Sequence, residues 1–379
     1  MTFSHRLRRA ALLGMAFGVG ACDIASFIND PKPIFEQTWN LPADTVKVSV
    51  ASLLPAGVSI FSTTGSTPPD SSAFQMTGGI TGVNFTRRVG DDCAQCVTLN
   101  GTNAFKPAFV LATGSTTSLP TDVVSATLTG GTVTLQVTNS LSFDPLMVKT
   151  NAPASSDPAQ QGRMVIVVRS GSLVVGKDSV NGVTTAFAPG AILTRTIPLQ
   201  TGNVTSALAF DLTLTSPIGD HNEFINANGT LVSAGSVPDF RVAQVRMNVV
   251  NKTMASIAGD SLPLDGIDAS ITDKVVSAEF AMTITNPFNV TGNLDMQFGF
   301  GPLAGETISK TLSLPTGTDQ PRSVSLNTAE MQNLFGKKVG LTVSGSVNST
   351  APIDVTPRQV VIIANRLILK ILTGTPVAN

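Results

Sequence analysis

The sequence has no tyrosine and a single tryptophan, Trp39. Membrane-spanning β-barrels ring both interfaces with aromatic residues, and the C-terminal Val377-Ala378-Asn379 carries none. An outer-membrane barrel is therefore not expected. Histidine is almost as scarce, with only His5 and His221, and there are three cysteines. A structural zinc site draws on four such ligands, so no metal site is expected. Charged residues make up 13% of the chain, the formal net charge is −1, and no Lys/Arg block follows the first nine residues. The electrostatic footprint of a nucleic-acid binder is missing.

Motifs that carry chemistry are missing too. The chain has no Gly-x-Ser-x-Gly elbow and no P-loop lysine, and no helix is expected after Gly299-Phe300-Gly301. Acid/base or nucleophilic catalysis needs converging carboxylates, or a Ser or Cys beside a base. His221 instead lies in the polar run Gly219-Asp220-His221-Asn222-Glu223 and reads as a solvated loop residue. A conventional hydrolase, kinase or dinucleotide enzyme is disfavoured, and no cofactor is expected. The chain reads as non-enzymatic.

What is present is β-forming. The composition is 42% hydrophobic, and Val and Thr recur beside Gly, Asn and Pro turn formers, the pattern of short strands. The fold class expected is all-β, built as tandem antiparallel β-sandwiches. A chain of 379 residues favours two or three domains.

The N-terminus carries a targeting signal. His5, Arg6, Arg8 and Arg9 form a basic region, and Ala10 to Val19 is an apolar helix-forming run too short to span a bilayer. Val19-Gly20-Ala21-Cys22 resembles the lipobox of bacterial lipoproteins. That resemblance implies that residues 1–21 are a signal peptide and that Cys22 is acylated as the first mature residue. The chain would then sit in the cell envelope as a lipid-anchored protein. Asp23 marks inner-membrane retention in enterobacterial members but not in other lineages. The choice of membrane, and of periplasmic or surface face, stays open.

The other two cysteines sit in Asp91-Asp92-Cys93-Ala94-Gln95-Cys96. A thioredoxin-like pair should open a helix, which lowers the thiol pKa. Here Val97-Thr98-Leu99 reads as a strand, and two preceding aspartates oppose a thiolate. Cys93 and Cys96 are expected to form a disulfide closing a tight loop in an oxidising compartment.

Residues 22–45, with Pro31, Pro33 and Pro42, read as an extended tether that Phe35 and Trp39 shorten by packing back. Residues 46–120 read as a small β-rich unit holding the CxxC loop, with strand-like runs at Val46 to Val50, Ser59 to Ser62 and Phe105 to Ala112. Residues 121–235 and 236–379 read as two sandwiches because of an internal echo. Val123-Val124-Ser125-Ala126 returns as Val275-Val276-Ser277-Ala278, each leading to Thr-Asn at Thr138-Asn139 and Thr285-Asn286. A second echo links Thr194 to Gly202 with Ser309 to Gly317. The wider spacing in the first copy suggests an insertion at Asn151 to Gly162, with the hairpin around Gly176 to Gly182.

The strand Thr283-Ile284-Thr285 running into Asn286-Pro287 resembles the late embryogenesis abundant type 2, or water-stress and hypersensitive-response, β-sandwich. The resemblance covers residues 275 to 372 and implies a compact, non-enzymatic domain for binding or stress protection. The first copy has Ser140 where the proline would stand. One short helix is expected near 327–336, because Asn327-Thr328-Ala329-Glu330 has capping-box spacing and Gly336 supplies a left-handed stop. Arg358 to Leu372 reads as closing strands. Asp265, Asp268 and Asp273, and Asp220 with Glu223, are oxygen-rich turns that could attract calcium, although Asx turns account for them. The function expected is a binding or interaction module with an envelope protein or polysaccharide partner. The alternative is a structural or stress-protective protein without a discrete ligand.

Overall fold

The computed structural model describes residues 35–61, 72–77, 84–150, 160–205, 207–235, 239–262, 264–299 and 307–373. The expected signal peptide, Cys22 and the first part of the expected tether lie outside them. The described chain is all-β, with every named strand pairing antiparallel and two short helices.

The strands fall in the order β1 (Phe35–Ser49), β2 (Val58–Ile60), β3 (Phe74–Met76) and β4 (Asn84–Arg88), then helix α1 (Ala94–Thr98). Next come β5 (Asn103–Phe105), β6 (Phe109–Ser118), β7 (Val123–Ser140), β8 (Arg163–Ser170), β9 (Leu173–Asn181) and β10 (Ile192–Pro198). They are followed by β11 (Gly202–Thr205), β12 (Ala207–Ser216), β13 (Asn222–Phe224), β14 (Thr230–Gly235) and β15 (Asp239–Met247). The remainder is β16 (Lys252–Leu262), β17 (Val275–Asn286), β18 (Thr291–Gly299), β19 (Thr307–Leu314), β20 (Gly317–Leu326), helix α2 (Thr328–Leu334), β21 (Val339–Asn348), β22 (Ile353–Val355) and β23 (Val360–Thr373).

Two sandwiches with one strand order emerge. One sheet runs β6-β12-β8-β9 in the first and β16-β21-β18-β19 in the second. The facing sheet is centred on β7 in the first, flanked by β10 and β11 on one edge and by β14 and β15 on the other. In the second it is centred on β17, flanked by β20 and β23. Alternation builds the core, since β12 and β21 bury every second residue and present one face inward. Phe280 of β17 and Phe298 of β18 meet edge to face at 5.0 Å across the second sandwich.

The two central strands end in the same device. Asn139 donates from Nδ2 to the carbonyls of Phe143 and Phe187 at 3.0 and 2.6 Å, and its Oδ1 accepts from Leu141 N at 2.9 Å. Asn286 donates to the carbonyls of Val290 and Pro315 at 3.0 and 2.8 Å, and its Oδ1 accepts from Phe288 N at 3.1 Å. Both asparagines are buried, as are Leu141, Phe143, Phe288 and Val290. The amide satisfies the backbone where the chain leaves one sheet for the other, so the first echo marks equivalent positions.

The second echo does not. Thr194 to Pro198 lies on β10, which pairs with β7, whereas Ser309 to Leu314 lies on β19, which pairs with β18. The true counterpart of β20 is β10 with β11. The hairpin around Gly176 to Gly182 is likewise no insertion, because β8 and β9 hold the positions of β18 and β19. Of the expected loop at Asn151 to Gly162, residues 151–159 lie outside the described residues.

Three boundaries also move. Residues 35–45 are not tether, because β1 pairs with the C-terminal β23 from Phe35↔Thr373 to Ser49↔Val360. The second sandwich is therefore built from both ends of the chain. The position near 236 falls between β14 and β15, which both pair with β7 as one interrupted strand, so the first sandwich continues to Met247. Residues 46–120 are no separate unit either, since β6 is an edge strand of the first sandwich and β3 and β4 extend its other sheet. Helix α2 forms where expected. Asn327 Oδ1 accepts from Glu330 N and Glu330 Oε2 from Asn327 N, each at 2.9 Å, and Gly336 follows at φ +71°.

Candidate binding site

The run Phe105 to Ala112 is not one strand. Pro107 has no N–H to give a ladder, and β5 and β6 are separated by Lys106-Pro107-Ala108. Gly219 N donates to Lys106 O at 2.7 Å, which brings the polar 219–223 stretch against this break. The resulting cluster sits beside the first sandwich, where β5 and β13 form a separate two-stranded ribbon.

Lys106 lies at its centre with no solvent exposure. Its Nζ donates to Ser216 Oγ and to the Pro217 carbonyl, each at 2.6 Å, and stands 5.8 and 6.0 Å from the ring centroids of Phe143 and Phe109. Cation–π attraction partly offsets the lost hydration. Burial lowers the Lys106 pKa to about 8, against the opposing pull of the Glu223 and Asp144 carboxylates. Burial raises the pKa of Glu223, with the nearby His221 and Lys106 pulling the other way, and its Oε2 is buried without a hydrogen-bond partner. His221 is exposed; its Nδ1 lies 2.9 Å from Asp220 Oδ1 and its Nε2 lies 3.8 Å from Glu223 Oε1. Asp220 is held down to about 2 by the hydrogen bond to His221 and by the Thr150 amide.

The pH dependence follows from Lys106. Below about pH 8 the amine is charged in both folded and unfolded chains, and its desolvation cost is fully present. Between about 8 and 10.5 the unfolded state holds the extra proton, so stability rises with pH. The expected gain is on the order of 3 kcal/mol at ~1.4 kcal/mol per unit. Denaturant unfolding across this range should show the rise in the natural chain and a flatter profile in Lys106→Met, which has no amine to titrate.

Beside Lys106 a cavity of about 390 Å³ opens between Phe109, Val110, Lys149, Ser216, Pro217 and Ile218. Its volume falls in the range of small-ligand sites. Val110 and Ile218 are exposed there, and so are Phe105 and Phe224 on the ribbon. Sequence reading singled out His221, Asp220 and Glu223 but missed Lys106, Ser216 and Asp144. The signal available was Lys106 set in an otherwise apolar run.

The Cys93 and Cys96 sulfurs are at bonding distance and both residues are buried. The expected strand at Val97-Thr98-Leu99 is instead the end of α1, which Cys93 caps by accepting from Cys96 N at 3.1 Å. Nor are the two aspartates free. Asp92 pairs with Arg87 through two bonds of 2.8 Å, and Asp91 pairs with Arg88 at 2.9 Å. Asp265, Asp268 and Asp273 are exposed, and among the described residues no three His, Cys, Asp or Glu side chains gather to hold a metal. No described helix is long and apolar enough to cross a membrane.

No protein-family profile and no curated protein sequence matches the chain. Among solved structures it is similar to a candidate secreted protein from Parabacteroides distasonis ATCC 8503, with 10% identity, a TM-score of 0.29, and 89% of this chain and 100% of that one covered. It is also similar to the N-terminal CBM22-1-CBM22-2 tandem domain of Paenibacillus barcinonensis Xyn10C, with 9% identity, a TM-score of 0.15, and 88% and 99% covered. At these scores neither likeness bears on the site.

Proposed function

We propose that the chain is a lipid-anchored, non-catalytic binding protein of the bacterial cell envelope, with its binding site beside the first sandwich. One observation carries this reading: a mainly apolar groove and an exposed aromatic ribbon lie on either side of the buried Lys106, whose amine is tied to Ser216 and Pro217 at the groove. Such sites are apolar with a few placed polar groups. The buried Lys106 amine is spent on Ser216 and Pro217 and has no route to a substrate. The anchor rests on Val19-Gly20-Ala21-Cys22.

The anchor is tested by fractionating cells that express the full chain. The natural protein should partition with membranes and carry acyl mass on Cys22, and Cys22→Ser should move to the soluble fraction without it. An unacylated natural chain would overturn the reading. The stress-protective alternative draws on the Asn286-Pro287 turn. A thermal-shift screen against envelope polysaccharides, lipids and calcium separates the two, because only a binder is stabilised by mass action.

A further inference from the structure

The ribbon of β5 and β13 has two unlike faces. Its register sets Phe105 opposite Asn222 and Asn103 opposite Phe224, and residues directly opposite share a face. Two rings and two amides thus form a checkerboard with the rings on one diagonal. All four are exposed, Phe105 at 56% and Phe224 at 50%. The opposite face carries Ala104 and the half-buried Glu223. Exposed phenylalanine is unfavourable in water unless something covers it. Among the described residues only three phenylalanines are this open, and two of them are here.

We propose that this outward face binds a neutral oligosaccharide or polysaccharide, a ligand class that rests on the binding-protein reading above. The rings would stack on the apolar C–H faces of sugars, and Asn103 and Asn222 would pair with hydroxyls. Diagonal positions of a ribbon lie about 7–8 Å apart, so the rings address neighbouring parts of an extended ligand. An amide both donates and accepts, which matches a hydroxyl.

Size and charge argue against other occupants. Two half-exposed rings offer on the order of 200 Å², well short of the ~800 Å² per partner that a stable protein interface buries. The outward face, Asn103, Phe105, Asn222 and Phe224, carries no Lys or Arg, so it offers no cation to pair with an anionic lipid or acidic polymer. A neutral polyhydroxylated ligand fits both limits.

The test is affinity electrophoresis of the purified chain through gels holding mixed-linkage β-glucan, xylan, galactomannan or dextran, with polygalacturonate as the acidic comparison. At least one neutral polymer should retard the protein and polygalacturonate should not. Phe105→Ala and Phe224→Ala should each weaken binding about tenfold, the factor carried by ~1.4 kcal/mol, and the double variant should migrate freely. Their melting temperatures should match the natural chain, because both rings are exposed; Asn222→Ala, which removes no ring, provides a second reading of the same face. No retardation by any neutral polymer overturns the proposal, and so does retardation that the double variant retains. If the natural chain instead captures an envelope protein or vesicle and the double variant does not, the sugar assignment falls while the binding-protein reading stands.

Discussion

A fragment of residues 248–373 should fail to unfold cooperatively, and appending residues 35–50 after Thr373 should restore a cooperative transition. The reason is β1, which supplies the outer strand of the second sandwich although it comes from the other end of the chain. It pairs with β23 over its whole length. Val46 and Val48, with Val50 just beyond, are buried, and at roughly 1.5–3 kcal/mol for each side chain these three contribute an amount comparable to the whole stability of a small domain, about 5–15 kcal/mol. Removing them also strips one edge of β23 of its hydrogen bonds. Because Phe35 lies opposite Thr373, a two-residue Asn-Gly turn can join the ends as an antiparallel hairpin. Circular dichroism in a urea titration of the two fragments decides it. A cooperative transition in the short fragment would show that β1 is dispensable.

The second large effect is expected at the paired asparagines. Asn139→Ala and Asn286→Ala each leave two carbonyls and one amide without partners in buried surroundings. Each orphaned group costs about 1–3 kcal/mol, so either variant should lose on the order of 3 kcal/mol or more. Aspartate should serve no better, because a carboxylate has no N–H to donate and its charge would be buried. Asn293→Ala, on an exposed position of β18, should stay within about 0.5 kcal/mol of the natural chain. If Asn139→Asp and Asn286→Asp kept full stability in denaturant, the donor role assigned to these amides would be wrong.

These devices show how far local reading reached. The Thr-Asn echo, the capping box at Asn327 and Glu330, and the strand character of Val46 to Val50 and of Arg358 to Leu372 were all legible. Each depends on residues within a few positions of one another. The misreadings share a cause as well. The internal echo puts a domain boundary near 236, yet β14 and β15 on either side continue along the same neighbour, β7. Pro31, Pro33 and Pro42 look like tether, yet the chain from Phe35 is a strand with a shift in register between Pro42 and Thr45.

The candidate site was legible only in pieces. The carboxylates and histidine at 220–223 stood out as a polar run, but Lys106 is more than a hundred residues away in sequence. Its hydrogen bonds reach Ser216 and Pro217 across separations of 110 and 111 residues. Alternation shows which side of a strand is apolar; it does not name the strand that will lie beside it. Composition and period by themselves determined an all-β chain of sandwich type with one capped helix. Tertiary structure decided that β1 and β23, from opposite parts of the chain, share a sheet, that β14 and β15 on either side of residue 236 line the same strand β7, and that a fully buried lysine directly follows an exposed aromatic ribbon. The physical reason is that apolar burial has no direction along the chain. Partners are chosen by which sheet edge remains open and which polar groups must be satisfied once the layers close.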